Sequence, residues 1–509
     1  MQTPQGHLVG IVLAVLILVA TAVSYALSGG IHVQTWSVDT LYVLDITQRV
    51  INGQVPYVDF VLHLGALPFF VMAALEGTGH AFFFAQILFT TVCLATGFSI
   101  ARTRLNGFAT TILLIGITHL GMAISSPFSS EVTLALFYNR WSWALGILFV
   151  VCTFLDPIHP TNLRTSAILI GLLAFALLLT KVTVFVAFVP LAFLRFVLLG
   201  RWEETLWASA AFLACAVGMV ILFGIPFWTG YFEALLWVSG NELRPAPSRR
   251  FQSVLSGPDF FWSSLLYVTF LLACVRFRGG GGASLWHFAL AGGFLFVQYQ
   301  NYGNAPVWTL ALAVFALTYL GQSVGQGGMI ERLIWTSLAV PFLGFAAFTF
   351  WPLAAGHVEN MRAAAYGGYS PILANREIMG RVVVSPELAN PSIDDKGEFD
   401  NSDCKYGLGF LGAIRVVAEV ITELDGPVFV ADATSPHWLV ADTSPLLGAA
   451  PWNYGATYGI ENAQFAVVPT CPLVLNYQEK ILESVEEAGI TLVPYQEREW
   501  AQVYRIEMP

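Results

Sequence analysis

The sequence predicts a polytopic α-helical membrane protein, with about eleven transmembrane helices and a C-terminal soluble α/β domain. Three observations lead there. Of the 509 residues, 56% are hydrophobic and only 11% charged, where soluble domains carry about 25% charged residues. Apolar runs of about 17 to 25 residues recur along the first 352 positions, each long enough to cross a bilayer. Beyond Trp351 the runs shorten, and residues 356–509 hold 21 acidic against 9 basic side chains. The chain divides accordingly into a membrane part, 1–355, and an acidic domain, 356–509, long enough to bury its own core.

The N-terminus, MQTPQGHL, lacks the basic start of a signal peptide, and the first apolar run, near 8–28, is too long for one, so it is expected to stay as a helix. Ten further runs follow near 80–101, 107–124, 141–155, 166–180, 182–200, 205–226, 260–275, 284–300, 305–323 and 333–352. Cytoplasmic loops retain Lys and Arg. Arg102, Arg104, Arg164, Arg195, Arg201, Arg276, Arg278 and Arg332 share one side if the N-terminus is cytoplasmic. That threading puts the loops 29–66, 125–140 and 227–259, Lys181 and the C-terminal domain on the outer face, against a minority of outer basic residues that includes Arg49, Arg140 and Arg244. The runs 166–180 and 182–200, separated only by Lys181, are where a merged span would flip the later loops.

The first outer loop, within 29–66, holds SVDTLYVLDITQRVINGQVPYVDF at 37–60, with three carboxylates, Asp39, Asp45 and Asp59. Helical periodicity runs from Asp39 to Asn52, Gly53 stops it, and Pro56 holds the next stretch extended. Asp39, Tyr42, Ile46 and Arg49 share one face, while Asp45 precedes Arg49 by one helical turn and reads as its ion-pair partner. Asp39 has two readings, a helix cap or a reactive carboxylate. Asp59 likewise reads as a turn carboxylate or as an acceptor or metal contact.

These residues resemble the glycosyltransferase C superfamily, which includes protein O-mannosyltransferases and bacterial aminoarabinose transferases. The similarity lies in Asp39, Tyr42, a short helix, then Gly53, Pro56, Tyr57 and Asp59, followed by a Gly65-Ala66-Leu67-Pro68 turn with its proline displaced. It implies a transferase that takes a sugar from a polyprenyl-phosphate carrier at the outer face and gives it to a hydroxyl of a lipid, glycan or protein acceptor. Asp39 matches the family's catalytic acid, with Tyr42, Tyr57 and Asp59 as substrate-binding neighbours. Some members bind a divalent cation through acids of the second outer loop. Here that loop offers Glu131 alone, so a divalent cation is a candidate cofactor and none is assigned.

Other residues carry expectations from chemistry. Such a transfer needs a base for the acceptor hydroxyl and a cation for the departing phosphate. Arg140 suits phosphate or snorkels to the interface. Lys181, alone in ALLLTKVTVF, is costly at that depth without a partner such as a lipid phosphate, or sits in an outer turn. Arg249 and Arg250, with Arg244, form an outer basic patch suited to the same phosphates. The glycine run 279–282 follows no strand and is a flexible loop, the histidines show no zinc spacing, and the polar stretch 298–304 suits either sugar or an aromatic belt.

In the domain, periodicity predicts helices near 408–424 and 476–488 and strands near 428–431, 465–468, 490–494 and 501–506. Cys93, Cys152, Cys215 and Cys274 lie in apolar spans, while Cys404 and Cys471 lie outside them and can form a disulfide if the domain is periplasmic. The absence of a glycosylation sequon favours a bacterial inner membrane, and the domain's acidity argues against nucleic acid as a partner. Two other classes compete: a transporter or flippase of lipid-linked sugars, and a noncatalytic membrane anchor that displays the domain.

Overall fold

The computed structural model describes residues 4–244, 257–278, 282–300, 305–373, 381–389 and 409–509. Helix α1 (Pro4–Ser28) leads into strand β1 (Ile31–Val33), then α2 (Ser37–Ile51), α3 (Leu67–Ala74), α4 (Ala81–Arg104) and α5 (Gly107–Met122). A hairpin of β2 (Ser125–Ser126) and β3 (Ser129–Val132) precedes α6 (Phe137–Phe154), α7 (Leu163–Thr180), α8 (Val182–Leu198), α9 (Trp202–Phe223) and α10 (Pro226–Gly240). Then come α11 (Pro258–Phe277), α12 (Gly282–Gln300), α13 (Thr309–Gln326) and α14 (Met329–Tyr366). Each predicted apolar run falls mostly within one of these helices, although the run 205–226 reaches from α9 into α10 and the run 305–323 starts before α13; a helix satisfies its backbone polar groups without water. Among the described residues six helices are long and apolar enough to cross a membrane, α1, α4, α7, α9, α11 and α14, and α5, α8 and α13 are apolar but shorter.

Arginines close one end of the bundle. Arg104 at the end of α4 donates to Leu155 O (3.1 Å) and Ser166 Oγ (2.9 Å). Arg195 and Arg201 meet Asp156 at 3.0 and 2.6 Å, Arg164 meets Glu203 at 3.0 Å, and Arg332 donates to the carbonyls of Ser323, Val324 and Gly327. These bonds gather the end of α8 with the start of α7 and of α9. Helices α7 and α8 therefore reverse at Lys181, which lies at the far end with the first loop.

Two boundaries differ from expectation. Position 355 falls inside α14, which continues to Tyr366, so the shift in composition does not mark the end of the helix. The stretch 227–259, expected as a loop, begins with α10. Its polar and aromatic mixture hides a helix held by specific fits, because Gly230 leaves room for the carbonyl of Tyr57 and the Tyr231 hydroxyl donates to Leu178 O at 2.7 Å.

The C-terminal segment contains β4 (Ser370–Pro371), β5 (Val382–Val384), α15 (Pro386–Ala389), α16 (Gly409–Thr422), β6 (Val428–Val430), α17 (His437–Val440), β7 (Phe465–Pro469), α18 (Leu475–Glu487), β8 (Thr491–Glu497) and β9 (Ala501–Glu507). The last four strands order as β6-β7-β9-β8, with β6 and β7 parallel and the other pairs antiparallel. Alternation along the strands builds two cores: Val430, Phe465, Val467 and Val503 face Val417 and Ile421 of α16, while Phe429, Ala431 and Ala466 face Ile481 and Val485 of α18. A second sheet, β1-β5-β4, pairs β1 in parallel with β5, Ile31 opposite Val382. The strand just before α2 is thus tied to the C-terminal segment, and Asn360 of α14 holds it from behind, accepting from His32 N and donating to Gly30 O, both at 2.9 Å.

Candidate functional site

Helix α2 opens on strain. Its N-cap, Trp36, is left-handed (φ 58°, ψ 49°) and makes no side-chain capping bond, a conformation that costs a bulky residue about 1–3 kcal/mol. Asp39 consequently lies in the first turn, where the helix dipole favours a negative charge, and is not the cap. Its carboxylate, half-buried, is within electrostatic reach of Tyr42, Tyr138 and Tyr454. Burial raises the hydroxyls of Tyr42 and Tyr454, and the charge of Asp39 raises them further, so both are neutral donors beside it. Arg244 lies within reach of Tyr138, Tyr454 and Lys181 and opposes that charge.

The first turn of α6 supplies the other half. Leu136, its N-cap, is again left-handed (φ 57°), and the next residues are Phe137, Tyr138, Asn139 and Arg140. The Arg140 guanidinium, 3% exposed, donates one bond to Ala135 O at 3.2 Å. Its Nε and second terminal nitrogen have no partner among the described residues, nor does Asn139 Nδ2 or Thr180 Oγ1. Lys181 is buried too, donates to Asn139 Oδ1 and stands 5.4 Å from the ring centre of Tyr138. Arg140, Asn139 and both left-handed residues, Trp36 and Leu136, line one cavity of about 240 Å³. A buried polar group left unpaired costs about 1–3 kcal/mol, and a charged one more. The buried Arg140 and the spare donor of Asn139 on this cavity, with Lys181 bonded to Asn139, make a site for an anion.

The first loop reaches Lys181 by close fit: a Cβ at Gly65 would lie 2.1 Å from Leu179 O. Asp45 and Arg49 pair as expected, at 2.8 Å with neither side chain exposed. The pair also does something that adjacency in sequence does not reveal. Asp45 accepts from Trp438 Nε1 at 2.9 Å, Arg49 donates to Leu446 O at 3.0 Å, and the guanidinium stacks between Phe60 and Trp438 at 5.6 and 5.5 Å. It docks the C-terminal segment onto α2.

The remaining expected residues are placed as follows. Tyr57, left-handed at φ 69°, gives its hydroxyl to Leu64 O and packs its ring on Phe227 and Tyr231; it anchors the turn. The Asp59 carboxylate accepts from Val55 N at 2.7 Å and closes that same turn. Glu131 is exposed on β3 and accepts from Ser129 Oγ at 3.2 Å. Among the described residues no three His, Cys, Asp or Glu side chains group to hold a metal, so Glu131 has no companions for the metal role considered for it. Arg249, Arg250 and Cys404 lie outside the described residues, and Cys471 is disulfide-bonded. Sequence reasoning missed Tyr454 and Trp438. The aromatic, glycine-marked run PWNYG at 451–455 was the available signal for the first.

No protein-family model matches the sequence, and no curated protein does. Two solved structures are similar to this chain. One is ArnT from Cupriavidus metallidurans bound to undecaprenyl phosphate, at TM-score 0.41 and 12% identity over 97% of each chain. The other is the oligosaccharyltransferase of Archaeoglobus fulgidus in the apo form, at TM-score 0.34 and 13% identity over 70% of this chain and 50% of that one.

Proposed function

We propose that this chain is an integral membrane glycosyltransferase. It moves a sugar from a polyprenyl-phosphate carrier to a hydroxyl acceptor, with inversion, on the face that carries the first loop. The observation that supports this best is the joining of two unlike halves through the first turn of α6: a carboxylate whose charge reaches three tyrosines, and a cavity lined by a buried, incompletely paired arginine and by Asn139, which holds a buried lysine.

Asp39 accepts the proton of the acceptor hydroxyl as that oxygen attacks the anomeric carbon. The bond from that carbon to the phosphate oxygen breaks, and the phosphate leaves with the electron pair. Arg140 and Lys181 meet the negative charge that grows there, an interaction strongest in a site shielded from water. The tyrosines, neutral donors, keep the Asp39 carboxylate oriented. Attack from the face opposite the phosphate inverts the sugar.

The test is turnover of a labelled polyprenyl-phosphate sugar by the purified protein. Sugar transfer with release of the lipid phosphate is expected, and Arg140→Ala should lower kcat/KM for the donor at least about tenfold, the loss of one interaction worth 1.4 kcal/mol. A protein that consumes no such donor overturns the reading.

A further inference from the structure

A groove of about 1260 Å³ lies between the end of α10 and the C-terminal segment, larger than the roughly 300–1,000 Å³ of pockets that enclose a single small ligand. Trp237 and Tyr458 form its wall, ring to ring at 5.2 Å and 68°. Behind Trp237 the His63 ring is stacked at 5.4 Å and 18°, and burial holds that imidazole neutral by moving its pKa down to about 4. The aromatic wall is therefore backed, fixed in orientation and half-exposed to the groove. Its polar lining includes Asn241, Glu242 and Glu461. Lys480, also in the lining, is engaged by Glu483 at 3.1 Å.

One residue links the groove to the site. Tyr454 lines it and also feels the charge of Asp39. Two bonds fix the groove's two sides to each other at that point, Asn241 Nδ2 donating to Tyr454 O at 3.1 Å and the Tyr477 hydroxyl to Leu243 O at 2.8 Å.

We infer that this groove binds the acceptor through an uncharged glycan, whose pyranose rings lie on Trp237 and Tyr458 and direct one hydroxyl past Tyr454 to Asp39. This inference rests on the transferase reading above and adds the acceptor's class to it. A pyranose has one face of C–H groups and a rim of hydroxyls. The C–H face suits the negative face of an aromatic ring, and the rim suits carboxylate and amide groups at its edge. The acidic lining repels phosphorylated or uronic-acid polymers.

The test is calorimetric titration of the purified full-length protein with uncharged oligosaccharides of four to seven hexoses or N-acetylhexosamines, and with a polygalacturonate of equal length. Saturable binding of at least one uncharged oligosaccharide is expected. Trp237→Ala and Tyr458→Ala should each weaken it at least tenfold, Trp237→Phe should restore most of it, and polygalacturonate should bind at least tenfold more weakly. No saturable binding of uncharged oligosaccharides, binding indifferent to both aromatic substitutions, or preference for the polyanion overturns the inference. Because binding is read without turnover, oligosaccharide binding in a protein that consumes no donor defeats the transferase reading alone, and donor consumption without oligosaccharide binding defeats the groove alone.

Discussion

Single residues in this molecule are exposed to pH through burial. Asp432, at the end of β6, accepts from Leu473 N (2.9 Å) and Ala433 N (2.7 Å), yet burial outweighs these bonds and raises its pKa from 3.8 to about 7. The folded chain then holds a proton that the unfolded chain releases. Stability is fully present below pH 4 and falls as pH rises to 7, by at most about 4 kcal/mol. The wild-type melting midpoint should accordingly be lower at pH 8 than at pH 5, with the difference shrinking in Asp432→Asn; equal pH responses of the two proteins would refute this. At this scale the sequence reveals identity but not surroundings. Arg140 reads equally as a snorkelling surface arginine and as a phosphate ligand. Its burial and unpaired nitrogens, which favour the second, are set by packing around the first turn of α6, whose left-handed N-cap Leu136 is a conformation that residue type disfavours.

At the scale of elements, the helices were readable because an apolar run in lipid has one good solution. The first strands of the four-stranded sheet were readable as short apolar runs, Val428–Ala431 and Phe465–Val468. What could not be read depends on contacts between distant positions. Strand β1 is three residues long and pairs with β5 some 350 residues away, so no local pattern announces it. The Asp45–Arg49 pair was legible as a turn of helix, but its bonds to Trp438 and Leu446 were not. Those bonds make a prediction. Arg49→Ala leaves Asp45 buried without its cation, which should cost about 3–5 kcal/mol and loosen the segment from α2, seen as faster proteolysis between residues 409 and 509. Arg49→Lys should rescue little, because lysine lacks the planar fork that reaches Asp45 and Leu446 together. Wild-type resistance in both variants would contradict the docking role.

For the whole molecule, the bundle has two unlike ends. Arginine-to-carbonyl and arginine-to-carboxylate bonds close one, and the first loop, Lys181 and the C-terminal segment occupy the other. With the arginine end cytoplasmic, cysteines introduced at the exposed Gly53 and Gly200 should label oppositely in intact cells: Gly53→Cys by an impermeant reagent, Gly200→Cys only after permeabilisation. The reverse pattern would invert the topology. The central claim is that Asp39 is the base for a transfer at that outer end. Its most direct test is the transfer rate of Asp39→Asn, isosteric and unable to take the proton, with a polyprenyl-phosphate sugar and a competent acceptor. A fall of about 10²- to 10⁴-fold in kcat with the melting profile retained is expected, and transfer at the wild-type rate would contradict the role of Asp39.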